Sequence, residues 1–521
     1  MFQSKPILSQ DIWRSDRDMV ASTSRRDAAL HFERARLIFC HSGLSQQDIE
    51  NLTSKFWDFQ FDCNGVIATR DMAAFIIVAI QVNLCIGTLC SFVKGRPDLQ
   101  DLVDKLLNFD ICGGFMLTEA DHGLDARNLE TTATLLPDGS YDLHTPHVGA
   151  SKAMDLATPY CGMPCIAIVF ARLLVGGKSH GVKPFLVCLR DACGMRPGVT
   201  SRILPTRPGM KPLDHSLTAF NHVDLPFSAL LGSSSEAGND RLDFLRQIWR
   251  VSAGMLSLSI MGISAIKVGT RIAAVYSERR TVTAPDGPIP EEIMSFSTQQ
   301  RPIVEGWVQG KVLHAFARWT IGMCPNLSDA TQHALATIFK ATVMKASQIL
   351  RPLTERLSRL AQREDKLMLD MKSRLEMIGG YKEHRGPDFD RHILPRCRLL
   401  AEAIGNRMAY EAAETSGLSP DALTLYERIC MREDPNHLPV MGSQGRADAQ
   451  SQSSEPYDSV LAQIRSESAS RSDLDDYVTA PIMSEESWGS FTNGLHAFRH
   501  AHDVAIPCSK LSGNEQRPYT Y

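Results

Sequence analysis

The periodicity of this chain changes twice along its length, which restricts the fold more than any other feature. Residues 1–112 carry helical spacing. Residues 26–40 read as one helix, Ser45-Gln46-Gln47-Asp48 opens a second, and Asp71 caps an apolar third. From 113 to 235 the spacing is that of short strands. The Thr-rich segment 129–135 runs into the turn Pro137-Asp138-Gly139 and then into 141–145, a hairpin signature. Further strands are expected at 165–175, at 181–189 after the turn Gly176-Gly177-Lys178, and along an alternating 216–225 that stops at Pro226. Helical spacing returns from Asp240, over 241–280, 300–321, 328–377 and 392–416. The expected fold class is therefore α+β. It comprises an N-terminal helical domain (1–112), a middle β-barrel-like domain (113–235) and a C-terminal helical bundle (236–440). A segment rich in Ser, Gln, Asp and Arg makes 441–476 a flexible linker, followed by a C-terminal tail at 477–521.

Composition narrows the function by exclusion. The net charge of −4 over 521 residues offers no basic surface for nucleic acid or an anionic membrane. The 13 cysteines are scattered, with no Cys-x-x-Cys. Cys85 with Cys90, or Cys161 with Cys165, has the spacing of half a zinc site but no histidine close by, so reduced thiols and no metal are expected. The apolar stretch 73–93 approaches membrane-spanning length, yet Gln81 and Asn83 interrupt it and its small residues suit close packing. A buried core helix is expected, and no membrane. No apolar signal core follows Met1, and Ser509-Lys510-Leu511 has ten residues after it, so it is not read as a peroxisomal address. Gly177-Lys178-Ser179 has Arg172 where a phosphate loop needs its first glycine, and reads as a hairpin turn.

The most informative stretch is Gly113-Gly114-Phe115-Met116-Leu117-Thr118-Glu119-Ala120-Asp121-His122-Gly123. It resembles the acyl-CoA oxidases and dehydrogenases, in which a Thr-Glu pair ends a strand at the flavin; His-Gly after it is closer to the oxidase branch. Further matches come in the family's order. They are His144-Thr145-Pro146-His147 with Lys152, then Leu189-Arg190-Asp191, then Val223-Asp224-Leu225-Pro226. Tyr276-Ser277-Glu278-Arg279-Arg280 with Phe296-Ser297-Thr298-Gln299-Gln300 is similar to the family's Arg…Gln element. Asn406-Arg407-Met408-Ala409-Tyr410 and Leu425-Tyr426-Glu427 resemble fungal members in particular.

The resemblance implies an acyl-CoA dehydrogenase-like fold, FAD as cofactor and an acyl-CoA-like small-molecule substrate. In that chemistry an α-proton goes to a carboxylate while the β-hydrogen leaves as hydride to the flavin. It also implies cofactor-binding roles for Thr118, Glu119, Gly123, Arg280 and Gln300. Thr118 would meet the flavin ring, while Arg280 and Gln300 would hold its phosphates or adenosine. Arg280 would reach a neighbouring subunit of a homodimer or homotetramer. The implied setting is cytoplasmic or peroxisomal, in fungal secondary metabolism or toxin biosynthesis. Each residue also has a plain structural reading: Thr118 as a strand residue, Glu119 bound to nearby backbone, His122 in a surface turn. On the same reading Arg280 is a helix-end cation and Lys152 a solvated loop residue.

Two departures stand out. Leu124 follows Gly123 where the family has serine. After Thr354-Glu355-Arg356 the family's glycine-rich loop and catalytic glutamate are missing, so the bundle is truncated and the catalytic residue is unknown. The other family position for the base falls near Gly254, which has no carboxylate. Glu355, Glu364 and Glu376 remain as substitutes, each read by default as a helix-surface residue. An oxidoreductase, or a pseudoenzyme that binds FAD or acyl-CoA as a partner protein, both fit this pattern. Evolved loss and a deleted exon both fit the gap.

Overall fold

The computed structural model describes residues 5–8, 10–13, 27–61, 65–123, 125–154, 158, 162–191, 194–205, 213–235, 240–283, 290–324, 327–348, 358–380, 386–432, 455–469 and 480–493. The chain divides into two compact units, Met1–Val478 and Thr479–Tyr521.

The first unit begins with helices. Asp27–Ser42 (α1) is followed by Gln46–Asn51, capped as expected by Ser45 in a reciprocal capping box with Asp48. Asp71 then accepts a hydrogen bond from the Ala74 N–H at 3.0 Å and opens Met72–Val93 (α2). By length and composition α2 could cross a membrane, but 89% of its most apolar window is buried inside the molecule. Its centre, Ala79–Ile86, is wound as a π-helix and carries the two polar residues that interrupt the apolar run. Gln81 donates to the Leu106 carbonyl at 2.9 Å and accepts from the Gly113 N–H at 3.2 Å. Asn83 donates to the Arg250 carbonyl at 3.2 Å. Both amides thus join the apolar helix to its neighbours, satisfying backbone groups that burial would otherwise strand.

The middle of the unit holds two sheets. One has six strands: Cys112–Met116 (β1), Thr132–Leu135 (β2), Tyr141–His144 (β3), Cys165–Val175 (β5), Lys178–Arg190 (β6) and Val223–Leu225 (β9). The other has Lys152–Met154 (β4), Val199–Ile203 (β7) and Ser216–Phe220 (β8). β1 lies parallel to β5 and fully buried. A side chain at Gly113 would sit 2.8 Å from the Cys85 sulfur, and one at Gly114 would sit 3.1 Å from the Ala167 Cβ. These two glycines therefore let the strand pass between α2 and β5. The β5–β6 turn has Gly176 at φ 56° and Gly177 at φ 78°, the left-handed pair of a tight hairpin, so the Gly-Lys-Ser resemblance to a phosphate loop falls away. The expected single strand over 216–225 is two strands in different sheets. His222, at φ 50°, turns the chain between β8 and β9.

The helical part follows. The expected helix over 241–280 breaks into Asp240–Gln247 (α3) and Arg250–Arg279 (α4). Ser297–Met323 (α5) packs on α4. Within the expected helical region 328–377 the described residues form Asp329–Gln348 (α6) and Ser358–Met377 (α7). Residues 349–357, where the expected deletion falls, lie outside the described residues. Leu394–Thr415 (α8) and Pro420–Arg432 (α9) complete the bundle. The segment read as a flexible linker contains Glu455–Ala469 (α10), which buries Val460, Leu461 and Ile464. Glu467 of α10 accepts hydrogen bonds from Trp307 at 2.9 Å and Lys311 at 3.1 Å on α5. Its polar composition reads as a linker because only one narrow stripe of the helix is apolar. Described residues of the second unit form a turn at Pro481–Met483 and a helix at Glu485–Asn493.

Candidate functional site

The Thr118–Gly123 segment leaves β1 and runs beside the chain entering β4. Thr118 and Ser151 carbonyls accept from the Ala153 and Ala120 N–H groups at 3.0 Å each, and the Gly149 carbonyl accepts from Asp121 at the same distance. A Cβ at Gly149 would lie 1.8 Å from the Asp121 carboxylate, so the Asp121 side chain would have to swing away. Glu119 turns inward, fully buried. Its carboxylate accepts from Lys152 Nζ at 3.0 Å, from the Glu130 N–H at 2.8 Å and from the Thr131 N–H at 3.0 Å. Burial alone would raise the Glu119 carboxyl, but the Lys152 ammonium and the two N–H donors hold it below its usual range. Lys152 was expected in solvent. It is instead 0% exposed, and burial pulls its ammonium down to about 8 against the attraction of Glu119. It opens β4, and its pairing with the Thr118 segment takes the side chain inside. Glu119 therefore positions the segment rather than facing a ligand. Thr118 is half-buried, and its hydroxyl has no protein partner among the described residues.

At the edge of this segment Glu130 binds two histidines, His122 Nε2 at 2.9 Å and His147 Nε2 at 2.8 Å. The surface-turn reading of His122 holds, with a partner. Its hydrogen bond to Glu130 raises its pKa above the ordinary 6.5. A raised histidine stabilises the fold fully below pH 6.5 and loses that contribution as pH climbs through its folded value. An imidazole titration by NMR is expected to place His122 above 6.5, and Glu130→Gln to return it toward 6.5. Among the described residues no group of three or more His, Cys, Asp or Glu is placed to hold a metal.

Arg280 is the C-cap residue of α4, and Gln300 lies in the first turn of α5. Arg280 is exposed at the helix end, and its side chain has no ion pair among the described residues. Gln300 donates inward to the Met294 carbonyl at 2.9 Å and the Ser295 carbonyl at 3.3 Å. No hydrogen bond or ion pair among the described residues joins this pair to the Thr118 segment. Gly123 is exposed and nothing crowds it.

The candidate bases fare as follows. A Cβ at Gly254 would lie 3.2 Å from the Asn83 amide nitrogen, so that position is packed against α2. Glu364 is held by both arms of the Arg407 guanidinium. Glu376 is exposed on α7, and Glu355 lies outside the described residues.

A cavity of about 390 Å³ opens between α3, α4 and α6, lined by Leu245, Arg246, Trp249, Ser252, Gln332 and His333. Ser252 Oγ and His333 Nδ1 are 3.0 Å apart inside it, although 81 residues separate them in the chain. Burial lowers the His333 pKa below its ordinary value. No sequence pattern marked either residue.

Helical domain, curled β-domain and helical bundle, in this order and with the Thr-Glu segment leaving β1, make the fold seen in acyl-CoA oxidases. Acyl-CoA oxidase 1 of Yarrowia lipolytica superposes with a TM-score of 0.73 at 14% identity, covering 99% of this chain and 93% of that one. Acyl-CoA oxidase-1 of Caenorhabditis elegans, solved with FAD and ATP, gives 0.66 at 15% identity, covering 91% and 86%. In sequence the chain is 30% identical over 209 residues to an acyl-coenzyme A oxidase of Debaryomyces hansenii, covering 38% of this chain and 29% of that protein. It is 24% identical over 289 residues to human peroxisomal acyl-coenzyme A oxidase 3, covering 52% and 40%. The chain thus matches less than half the length of these curated relatives. No family model matches.

Proposed function

We propose that this chain is a FAD-dependent oxidoreductase that takes an acyl-CoA-like thioester and removes hydrogens from its α and β carbons. The observation that carries this reading is the Thr118 segment: its hydroxyl is unspent, and its backbone is fixed by a fully buried Glu119–Lys152 pair. The residues fit a flavin in part. Thr118 and Arg280 have donors to offer, and Gly123 leaves room for a close approach. Gln300 spends its amide N–H groups on its own turn, leaving its carbonyl oxygen available. FAD would supply the hydride acceptor. The reading includes a homodimer or homotetramer in which Arg280 serves the neighbouring copy.

By its C-terminal motifs we assign it to fungal secondary metabolism, including toxin biosynthesis, in the cytoplasm or peroxisome. A second reading, a FAD- or acyl-CoA-binding pseudoenzyme, is favoured by one observation: Glu364 is committed to Arg407 and Gly254 to packing.

Purified protein is expected to be yellow, and anaerobic mixing with a panel of acyl-CoAs to bleach the flavin band. A bound flavin that stays oxidised with every thioester selects the pseudoenzyme, and a protein that takes up neither FAD nor an acyl-CoA rejects both readings. Arg280→Glu should weaken FAD retention about 10–100-fold, the worth of one or two charge-assisted hydrogen bonds, without changing the circular dichroism.

A further inference from the structure

We propose that His333 is the base that replaces the missing carboxylate: with an acyl thioester in the α3–α4–α6 cavity, its Nε2 takes the α-proton while Ser252 orients the ring. The proposal rests on the thioester reading above and goes beyond it by naming the residue and the pocket.

Four observations converge. The cavity, about 390 Å³, falls within the size of small-molecule sites, with Leu245 and Trp249 as apolar wall and Arg246, Ser252, Gln332 and His333 as its polar groups. Ser252 sits in the first turn of α4 and His333 in the first two turns of α6, so both come from rigid elements. These helices pack closely farther along, where a Cβ on Gly262 would lie 3.2 Å from Val343. The 3.0 Å contact uses Nδ1, and Nε2 has no protein partner among the described residues. Burial favours the neutral imidazole, the form a base requires.

The step balances without an oxidant. The Cα–H bond breaks, the proton goes to Nε2, and the electron pair left on Cα delocalises onto the thioester oxygen as an enolate. Return of a proton from His333 regenerates the thioester. A serine-nucleophile reading of the same pair is less well supported. It needs a third group to orient the imidazole from its other nitrogen, and no carboxylate is bonded there among the described residues.

The test is hydrogen exchange in D₂O with the full chain and phenylacetyl-CoA, a thioester with α-hydrogens and no β-hydrogen to lose, so that flavin reduction plays no part. The recovered thioester is expected to gain deuterium at its α-carbon. His333→Gln should slow that gain about 10²–10⁴-fold while thioester binding, read by Trp249 fluorescence, and circular dichroism are kept. Ser252→Ala should slow it less, and Ser252→Thr should restore it, which a purely structural serine would not require. Exchange that persists in His333→Gln overturns the proposal, as does an acyl adduct on Ser252 in the intact mass. Binding without exchange in the parent chain removes His333 as the base but leaves the thioester reading standing. Failure of both FAD-loaded and flavin-free protein to bind any thioester overturns the two together.

Discussion

Lys152→Met is expected to destabilise the first unit by about 3–5 kcal/mol, read as a shift in the urea unfolding midpoint. Removing the ammonium leaves the Glu119 carboxylate at 0% exposure with two backbone donors and no counter-ion. Taking such a charge out of water costs several kcal/mol, so most of the penalty comes from the orphaned carboxylate rather than from lost attraction. The double variant Glu119→Gln/Lys152→Met is therefore expected to recover much of the loss, since a glutamine carbonyl still accepts from Glu130 or Thr131. A loss below about 1 kcal/mol in the single variant would show that the pair is hydrated and does not fix the Thr118 segment. The pH dependence has a defined sign. Because the folded Glu119 titrates below the ordinary 4.5, its contribution is present above that value and is lost as the pH falls through the depressed one.

Asp71→Ala is expected to cost a comparable 3–5 kcal/mol and to loosen the start of the chain. One oxygen of Asp71 meets Arg34 Nη1 at 2.7 Å and His31 Nδ1 at 2.8 Å, all within the core, and the other caps α2. Arg34 in turn donates twice to the Ile12 carbonyl and lies 4.7 Å over the Trp13 ring. Loss of the carboxylate would thus remove a charged partner from a buried guanidinium, together with an N-cap worth about 1 kcal/mol. Asp71→Asn keeps an acceptor for the cap and should lose less. Limited proteolysis near residues 10–13 should accelerate in the alanine variant. Unchanged cleavage together with unchanged unfolding would mean that Arg34 finds another anion.

Much of the architecture was legible where its signals are local. Ser45 with Asp48, Asp71 with Ala74, and the glycine pair 176–177 each involve groups within four residues of one another, so spacing alone exposes them. The breaks near residue 248 and at His222 were not legible, because continuous apolar patterning survives a turn that only packing rewards. Resemblance pointed to the Thr118 segment and assigned Glu119 to a ligand, while the plain reading bound Glu119 to nearby backbone, as found, and placed Lys152 in solvent. Their pairing spans 33 residues and depends on the segment running beside β4, a long-range outcome that periodicity does not encode.

The sequence by itself therefore determined the order of the three parts, the caps and turns, and the α2 core helix, because these follow from side-chain period and local hydrogen bonding. Only the tertiary structure decided which charges are buried together. It also decided that α10 docks with Glu467 on Trp307 and Lys311, and that Ser252 meets His333 across 81 residues. Those contacts exist because separate helices and strands pack at fixed distances, and no local rule specifies which residues will then face each other.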